Sequence, residues 1–269
     1  MTINEIKSTL DKIGVDNSWD EAYLIVEHVY GITKAKILLE PQKSYTSPKI
    51  LEILEKRRAR IPLQHIFGSW FFMGKEFLVS PDCLIPRPDT EILVEKAVSL
   101  IKEGDKVADL CTGSGCIGIS LALYCKNIDL TLVDISSGAL NMARKNAEKH
   151  NVNAEFILGD ITKDLPNKKF DIITSNPPYI PTKDIESLSK EVQKEPVIAL
   201  DGGEDGLDII NFLVNEGLSY LNENGKMLIE FGYDQEKSIR NLLNGRTDFK
   251  SYEILYDYGK NPRCAVIYK

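Results

Sequence analysis

The residues most suited to chemistry are Asn176-Pro177-Pro178-Tyr179, which directly follow the apolar segment 170–175. The two prolines fix φ and supply no N–H, so this corner is rigid and offers acceptors, namely the Asn176 side-chain oxygen and the Pro177 carbonyl. A pair of acceptors suits the NH2 group of a planar amide or an exocyclic amine, and Tyr179 could stack on its flat face. The corner therefore predicts a site for a planar group that carries an NH2.

A second chemical signal is a glycine turn within the segment 107–118, where a predicted strand runs into the start of a helix. Gly113, Gly115 and Gly118 spell GxGxxG, and Asp134 follows Gly115 by 19 residues at the predicted end of the next strand. An acidic residue there accepts hydrogen bonds from ribose hydroxyls. The turn predicts a nucleoside cofactor, but by itself it does not choose between NAD and another one.

The chemistry of the bound NH2 group narrows this choice. Its nitrogen lone pair is delocalised, so the nitrogen is a poor nucleophile and needs a strong electrophile, such as the methyl sulfonium of S-adenosylmethionine. Hydrogen bonds to Asn176 and Pro177 would hold the lone pair toward the methyl group and favour the pyramidal nitrogen of the transition state. We therefore predict an in-line methyl transfer that requires neither a metal ion nor an obligatory general base.

Alternating strand and helix patterns from residue 105 onward define the elements that position these residues. They predict an α/β fold of the Rossmann-like type, with a mostly parallel sheet whose carboxyl edge brings the turn and the corner together. The last two strands are joined by a short loop and should form an antiparallel hairpin. The predicted strands are 106–111, 129–134, 154–159, 170–175, 226–231, 250–257 and 263–269, and the predicted helices lie near 91–102, 115–126, 137–150, 207–222 and 234–243.

Helix signals dominate the first 60 residues, where apolar residues recur at three- and four-residue steps. The pairs Thr2/Glu5 and Ser18/Glu21 have capping-box spacing, and Ser47-Pro48 is typical of a helix start. A β-prone aromatic stretch follows. The predicted domains are a helical partner-recognition domain over 1–60, a β-hairpin connector over 61–83 and a methyltransferase domain over 84–269.

Composition excludes several classes of protein. The chain has 33 Lys and Arg against 40 Asp and Glu, a formal net charge of −7, which disfavours a protein that grips nucleic acid through its phosphates. The five cysteines form no CxxC pair and the three histidines lie far apart, so we expect reduced thiols and no metal site. No segment approaches the roughly 18 apolar residues of a membrane span, and we expect a cytoplasmic protein.

Two surface segments have open interpretations. The basic cluster at 56–60 either meets a partner or complements the dipole at a helix C-terminus. The long segment 181–206 is rich in acidic residues and glycine, and we interpret it as a lid over the substrate rather than a disordered excursion.

Together these residues resemble the HemK/PrmC family, the bacterial peptide chain release factor glutamine methyltransferases. Members methylate the side-chain amide nitrogen (N5) of the glutamine in the Gly-Gly-Gln motif of release factors. The resemblance runs over nearly the whole chain, and the blocks at 84–91 and 195–207 are more specific than Asn-Pro-Pro-Tyr, which DNA adenine methyltransferases share. It implies S-adenosyl-L-methionine as cofactor, release factors as protein partners docked by the helical N-terminal domain, and no nucleic-acid substrate or membrane partner.

The resemblance also implies residue roles. Asn176, Pro177, Pro178 and Tyr179 would bind the glutamine amide, and Asn176, Pro177 and Tyr179 would be catalytic. The cofactor would be bound by Cys111, Thr112, Gly113, Ser114, Gly115, Asp134, Ile135, Asp160, Ile161 and Asn176. This chain departs from the family in having Cys111 where members usually have glycine, and in having aliphatic Ile161 and basic Lys194 where an aromatic residue is common.

Three alternatives remain at this point. An adenine-N6 nucleic-acid methyltransferase would share the cofactor and the corner but would need a basic target-recognition surface. An NAD-dependent oxidoreductase would use GxGxxG but gives residues 176–179 no role. A catalytically silent binding module on the translation machinery is the third.

Overall fold

The computed structural model describes residues 1–165 and 168–269. The chain divides into two compact units, one formed by 1–68 with 189–194 and the other by 69–188 with 195–269. The first unit therefore extends past residue 60, because the helix that follows contributes buried Leu63 to its core. Within the described ranges, no helix combines the length and apolar character needed to cross a membrane.

The first unit is a cluster of helices around an aliphatic core. Thr2 caps the first helix in a full capping box with Glu5, and Ser47 caps the fourth, which has proline at its first turn. Amphipathic spacing places residues such as Ile6, Leu10 and Ile25 in the shared interior. The helices are α1 Ile3–Ile13, α2 Ser18–Tyr30, α3 Lys34–Leu39, α4 Pro48–Arg58 and α5 Leu63–Phe67.

The basic cluster at 56–60 is partly internal, which neither interpretation of its sequence anticipated. Arg57 is 1% exposed and forms ion pairs with Glu21 at 2.7 Å and Glu191 at 3.0 Å. Arg60 also pairs with Glu191, at 2.7 Å, and donates to the carbonyl of Gly14. These charged side chains hold the segment 189–194 within the first unit.

The second unit is built on a twisted sheet. In the part of the chain that the structure describes, seven strands pair in the order β5-β4-β3-β6-β7-β9-β8, parallel except for β9, which is antiparallel to both neighbours. A separate antiparallel hairpin precedes it. The hairpin strands are β1 Ser69–Phe72 and β2 Lys75–Leu78, and the sheet strands are β3 Lys106–Leu110, β4 Asp129–Asp134, β5 Glu155–Leu158, β6 Phe170–Ser175, β7 Leu221–Glu230, β8 Ser251–Tyr256 and β9 Pro262–Tyr268.

Helices cover both faces of this sheet. Alternate residues of β3 point to opposite faces, so Val107 packs under the helices of one layer while Ala108 and Leu110 pack under those of the other. The first layer consists of α6 Glu91–Leu100, α7 Cys116–Tyr124 and α8 Ser137–His150, and the second of α9 Asp208–Asn215 and α10 Glu236–Leu243.

The predicted fold class and the antiparallel terminal hairpin are confirmed, with two corrections to individual helices. The predicted helix over 207–222 is wrong in its second half. It ends at Asn215, a 3-10 turn spans Gly217–Tyr220, and β7 begins at Leu221, five residues before the predicted strand at 226. The helix predicted to reach about 102 ends at Leu100.

The segment 181–206 is ordered by short 3-10 turns rather than by a regular helix or strand. They span Thr182–Ser187, Val192–Lys194 and Val197–Ala199. Asp201 forms an isolated parallel bridge with Ile180. Its role as a lid stays a hypothesis.

Candidate functional site

A cavity of about 290 Å³ lies where β3, β4 and β6 end at the carboxyl edge of the sheet. This volume is at the lower limit of small-molecule sites, which span roughly 300–1,000 Å³. The turn and the corner thus meet at one cavity, as their strand-end positions predict. Its lining includes 82–87, Thr90, 111–114, Cys116, Ile117, 134–136, 159–162, Asn176, Pro178, Ile198, Ala199, Asp201 and Ile209.

Most of the predicted site residues line this cavity, and three do not. Gly115, Pro177 and Tyr179 are not among the lining residues. Gly115 is the N-cap of α7, with φ of 79°, and a Cβ at that position would meet Ile119 Cδ1 at 2.8 Å and Ala143 Cβ at 3.1 Å. The absence of a Cβ at this glycine therefore lets α7 pack closely against α8.

The glycine turn has left-handed backbone at every second residue, namely Cys111, Gly113 and Gly115. Cys111 has φ of 58° and Gly113 has φ of 56°, a region that costs an L-residue about 1–2 kcal/mol. Gly113 has open space where a Cβ would stand, so a ligand can approach its backbone closely. The chain accommodates the side chain of Cys111 at the strand end, although its left-handed φ is one that glycine adopts without strain.

Asp109, which the sequence analysis did not assign to the site, ties the turn to two strands. This fully buried carboxylate accepts hydrogen bonds from Thr112 Oγ1 at 2.6 Å, Thr174 Oγ1 at 2.9 Å and the Gly118 amide at 3.1 Å. Burial raises its pKa to about 6, and these three hydrogen bonds oppose the rise. An acidic residue inside the apolar segment VADL is the signal that could have identified it.

Unlike Asp109, two carboxylates line the cavity itself, at the ends of neighbouring strands. Asp134 ends β4 and accepts from the amides of Gly113 and Ser136, each at 2.8 Å, while its burial raises its pKa. Asp160 follows β5; hydrogen bonds from Lys163 and Thr162 lower its pKa to about 2. Both residues line the cavity, and buried Ile161, which follows Asp160 in sequence, adds an apolar side chain to the lining.

The Asn-Pro-Pro-Tyr corner is held by side chains from distant parts of the sequence. Asn176 Nδ2 donates to Thr90 Oγ1 at 3.2 Å, which directs the side-chain oxygen of Asn176 away from Thr90. The Tyr179 hydroxyl donates to Glu230 Oε1 at 3.3 Å. Gln235 Nε2 donates to the Tyr179 carbonyl at 3.0 Å and fixes the end of the corner.

The two sequence blocks at 84–91 and 195–207 support the site, a role that the sequence analysis did not give them. Glu195 is 4% exposed, accepts from the Ile85 amide at 2.9 Å and forms an ion pair with Arg87. A Cβ at Gly202 would lie 2.8 Å from Tyr179 Cα, and one at Gly206 would lie 2.3 Å from the Tyr179 carbonyl oxygen. Those glycines let the second block pack directly on the corner.

The thiols near the site are not activated. Burial raises the pKa of Cys83 to about 11 and raises the pKa values of Cys111 and Cys116 further. A thiol held neutral is a poor nucleophile. This agrees with a transfer reaction that gives cysteine no part. All five cysteines are free, and the described residues contain no group of three potential metal ligands.

Comparison with known proteins agrees with this geometry. Residues 88–203 match the family model described as Methyltransferase small domain, and residues 2–68 match the PrmC N-terminal domain. A methyltransferase from Pyrococcus furiosus superposes with a TM-score of 0.55 at 20% identity, covering 82% of this chain and 96% of that one. The fold and the matched family model define the chain as a methyltransferase.

The particular family follows from curated relatives. The chain is 36% identical to the release factor glutamine methyltransferase of Geobacter sulfurreducens, over 88% of this chain and 84% of that protein. It is 34% identical to the release factor glutamine methyltransferase of Moorella thermoacetica, over 95% of this chain and 93% of that protein. The chain belongs to the release factor glutamine methyltransferase family, which confirms the resemblance and disfavours the oxidoreductase and adenine-N6 alternatives.

Proposed function

We propose that this protein transfers a methyl group from S-adenosyl-L-methionine to the side-chain amide nitrogen, N5, of the glutamine in the Gly-Gly-Gln motif of peptide chain release factors. The observation that carries the proposal is the orientation of Asn176. Because its NH2 donates to Thr90, its oxygen is the acceptor available to the NH2 of a substrate amide. Release factors act on ribosomes, so the protein would work in the cytoplasm.

The residues around the cavity fit S-adenosylmethionine. A ribose needs hydrogen-bond acceptors, which the Asp134 carboxylate provides, and an adenine needs an apolar surface beside a polar group, which Ile161 and Asp160 provide. Gly113 leaves room for close approach of the ligand to the backbone. We assign cofactor binding to these residues together with Cys111, Thr112, Ser114, Ile135 and Asn176, and do not assign it to Gly115.

The chain's own groups contribute mainly by positioning. The sulfonium of the bound cofactor supplies the electrophilic methyl group. Asn176 and the Pro177 carbonyl would hold the two N–H groups of the glutamine amide, which turns the nitrogen lone pair toward the methyl and favours a pyramidal nitrogen. Tyr179 and Pro178 complete the corner that binds the amide. The proton lost from the alkylated nitrogen can pass to water.

The helical first unit is the part of the chain that we assign to release factor docking. Its match to the PrmC N-terminal domain supports this role. The segment 189–194 is part of this unit and lies in the loop that follows the Asn-Pro-Pro-Tyr corner. In sequence, this segment is followed directly by Glu195, which contacts Ile85 and Arg87.

Mass spectrometry of a purified release factor, incubated with this protein and S-adenosylmethionine, tests the proposal. We expect a gain of about 14 Da, one methyl, on the Gly-Gly-Gln glutamine, and loss of that gain with Asn176→Ala. Asn153→Ala, an exposed asparagine outside the cavity, is the matched control and should behave as wild type. Methylation of adenine in DNA or RNA, without modification of the factor, would overturn the proposal; no transfer to either would favour a binding module.

A further inference from the structure

The Asn-Pro-Pro-Tyr corner has few backbone donors by which the fold can hold it. Pro177 and Pro178 carry no N–H, so neither can donate a backbone hydrogen bond. The prolines fix φ, but the direction of the chain where the corner ends depends on what holds the Tyr179 carbonyl. A side chain from after β7 does so, because Gln235 Nε2 donates to this carbonyl at 3.0 Å.

The Gln235 side chain uses its donors and its acceptor together. Nε2 also donates to the Gly206 carbonyl at 3.2 Å, and Oε1 accepts from the Gly232 amide at 2.8 Å. The residue is buried, with 8% exposed. One amide therefore joins three segments of the second unit, namely the corner, the block at 195–207 and the turn after β7.

The surroundings of this side chain are specific for an amide. Two carbonyl oxygens face Nε2 and one N–H faces Oε1, so the group that fits must donate at one end and accept at the other. Gly206 leaves the room for it, since a Cβ there would lie 2.8 Å from Gln235 Nε2 and 2.3 Å from the Tyr179 oxygen. Packing alone does not require this polarity, because a methionine of similar shape would fill the same space.

We propose that Gln235 is a positioning residue for methyl transfer, which fixes the corner through the carbonyl of Tyr179. This inference rests on the proposed function, in which the corner holds the glutamine amide against the methyl group of the cofactor. Gln235 is not among the residues that line the cavity, so its effect on the reaction passes through the backbone of the corner. In-line transfer depends on alignment, and a displacement of the corner moves the reacting nitrogen away from the methyl group.

Steady-state methyl transfer to a release factor, combined with calorimetric binding of S-adenosylmethionine, tests this inference. Gln235→Met keeps the length of the side chain but removes its three hydrogen bonds, and we expect kcat to fall by between about tenfold and about a hundredfold. The KM for the release factor and the dissociation constant of the cofactor should each stay within about threefold. Rates are expressed per mole of protein that binds the cofactor, so unfolded protein does not contribute. A role in stability alone would lower the melting temperature and leave this kcat unchanged.

Gln235→Glu adds a pH profile that packing cannot imitate. An ionised carboxylate has no donor for the carbonyls of Tyr179 and Gly206, so kcat should be low at about pH 8. Burial against two carbonyl oxygens raises the pKa of such a carboxyl group, and the nearby charge of Asp234 raises it further. Its protonated form has an O–H donor, a C=O acceptor and the shape of glutamine. The ratio of the variant's kcat to that of wild type should therefore rise by about fivefold or more between about pH 8 and about pH 6.

Controls separate the possible failures. Asn241→Asp makes the same change from amide to carboxylate at an exposed position of α10, and it should leave kcat and its pH profile as in wild type. A wild-type kcat in Gln235→Met, or a ratio for Gln235→Glu that does not change with pH, would overturn the positioning role. If Gln235→Met does not bind the cofactor, the ratio for Gln235→Glu decides. A wild type that binds the cofactor but does not modify the factor would instead overturn the proposed function.

Discussion

The glycine turn at 111–115 and the corner at 176–179 border the same cavity, but different interactions fix their shapes. In the turn the backbone itself is specialised, with left-handed φ values at Cys111, Gly113 and Gly115. In the corner the prolines stiffen the chain, and the functional side chains are oriented by Thr90, 86 residues away, and by Glu230, 51 residues away. The turn should therefore be sensitive to backbone changes, and the corner to remote side chains.

Gly115→Ala is expected to have the largest effect on the turn. An alanine there would adopt a left-handed φ, at about 1–2 kcal/mol, and would overpack against Ile119 and Ala143, at about 1–3 kcal/mol. Chemical denaturation should show the sum, a loss of about 2–5 kcal/mol in unfolding free energy. Gly113→Ala is the matched control, since the φ of Gly113 is also positive but its surroundings are open. This variant should lose only the about 1–2 kcal/mol that a left-handed φ costs an alanine. Equal losses in the two variants would show that packing of α7 on α8 does not require this glycine.

The pH dependence of stability tests the carboxylate that joins the turn to β6. The folded pKa of Asp109, about 6, lies above its ordinary value of 3.8. The folded protein therefore binds the proton more tightly than the unfolded chain, and stability is fully present below about pH 4 and declines as pH rises to about 6. The expected decline is about 3 kcal/mol in unfolding free energy.

Asp109→Asn isolates this contribution. An asparagine can keep hydrogen bonds to Thr112 and Gly118 while it removes the titration, so the unfolding free energy of the variant should not show this decline between pH 4 and 6. Denaturation at pH 4, 5, 6 and 7 measures it. If the unfolding free energy of the variant still declines with pH as in wild type, the pH dependence belongs to other buried groups. Glu230 is the first of these to test.

The contrast between local backbone and remote side chains also decides which features the sequence predicts correctly. Local signals predict the structure correctly where a single stretch of chain decides the outcome, as in the capping box at Thr2 or the start of α4 at Ser47. The same signal at Ser18 was wrong, because its hydroxyl donates to Asp11 at 2.6 Å and the helix begins one residue earlier than a cap at Ser18 would allow. The Ser18 side chain therefore bonds to Asp11 in the preceding helix instead of capping its own helix.

The same reasoning applies to the site. The cavity residues after β3, β4 and β6 follow from strand order, because the carboxyl ends of parallel strands meet at one edge. Thr90, Glu230 and Gln235 could not be found this way, since their contacts with the corner depend on how β7 and the loop before α6 pack around it. Motifs locate the groups that touch ligands, whereas the groups that orient them become visible only in three dimensions.

Tyr179→Phe is expected to have a smaller effect, confined to the corner. The variant keeps the aromatic ring but removes the hydrogen bond to Glu230, which should lower the unfolding free energy by about 1 kcal/mol and slow methyl transfer by less than about tenfold. Tyr258→Phe, at an exposed tyrosine that also donates to a carboxylate, should change neither quantity. A much larger loss of rate in Tyr179→Phe would mean that the hydroxyl itself, rather than the ring, acts on the substrate.

Cys111→Gly should give the smallest effect, and one of opposite sign. Glycine relieves the left-handed strain of about 1–2 kcal/mol at φ of 58°, but its greater freedom in the unfolded chain costs about 0.5–1 kcal/mol, so we expect a net gain of about 0.5 kcal/mol in unfolding free energy. Cys125→Gly is the matched control, because Cys125 has an ordinary φ of −109° and should only lose stability. A loss in both variants would show that packing of the Cys111 thiol outweighs its backbone strain. In that case the turn, like the corner, would depend on a side chain as well as on its backbone.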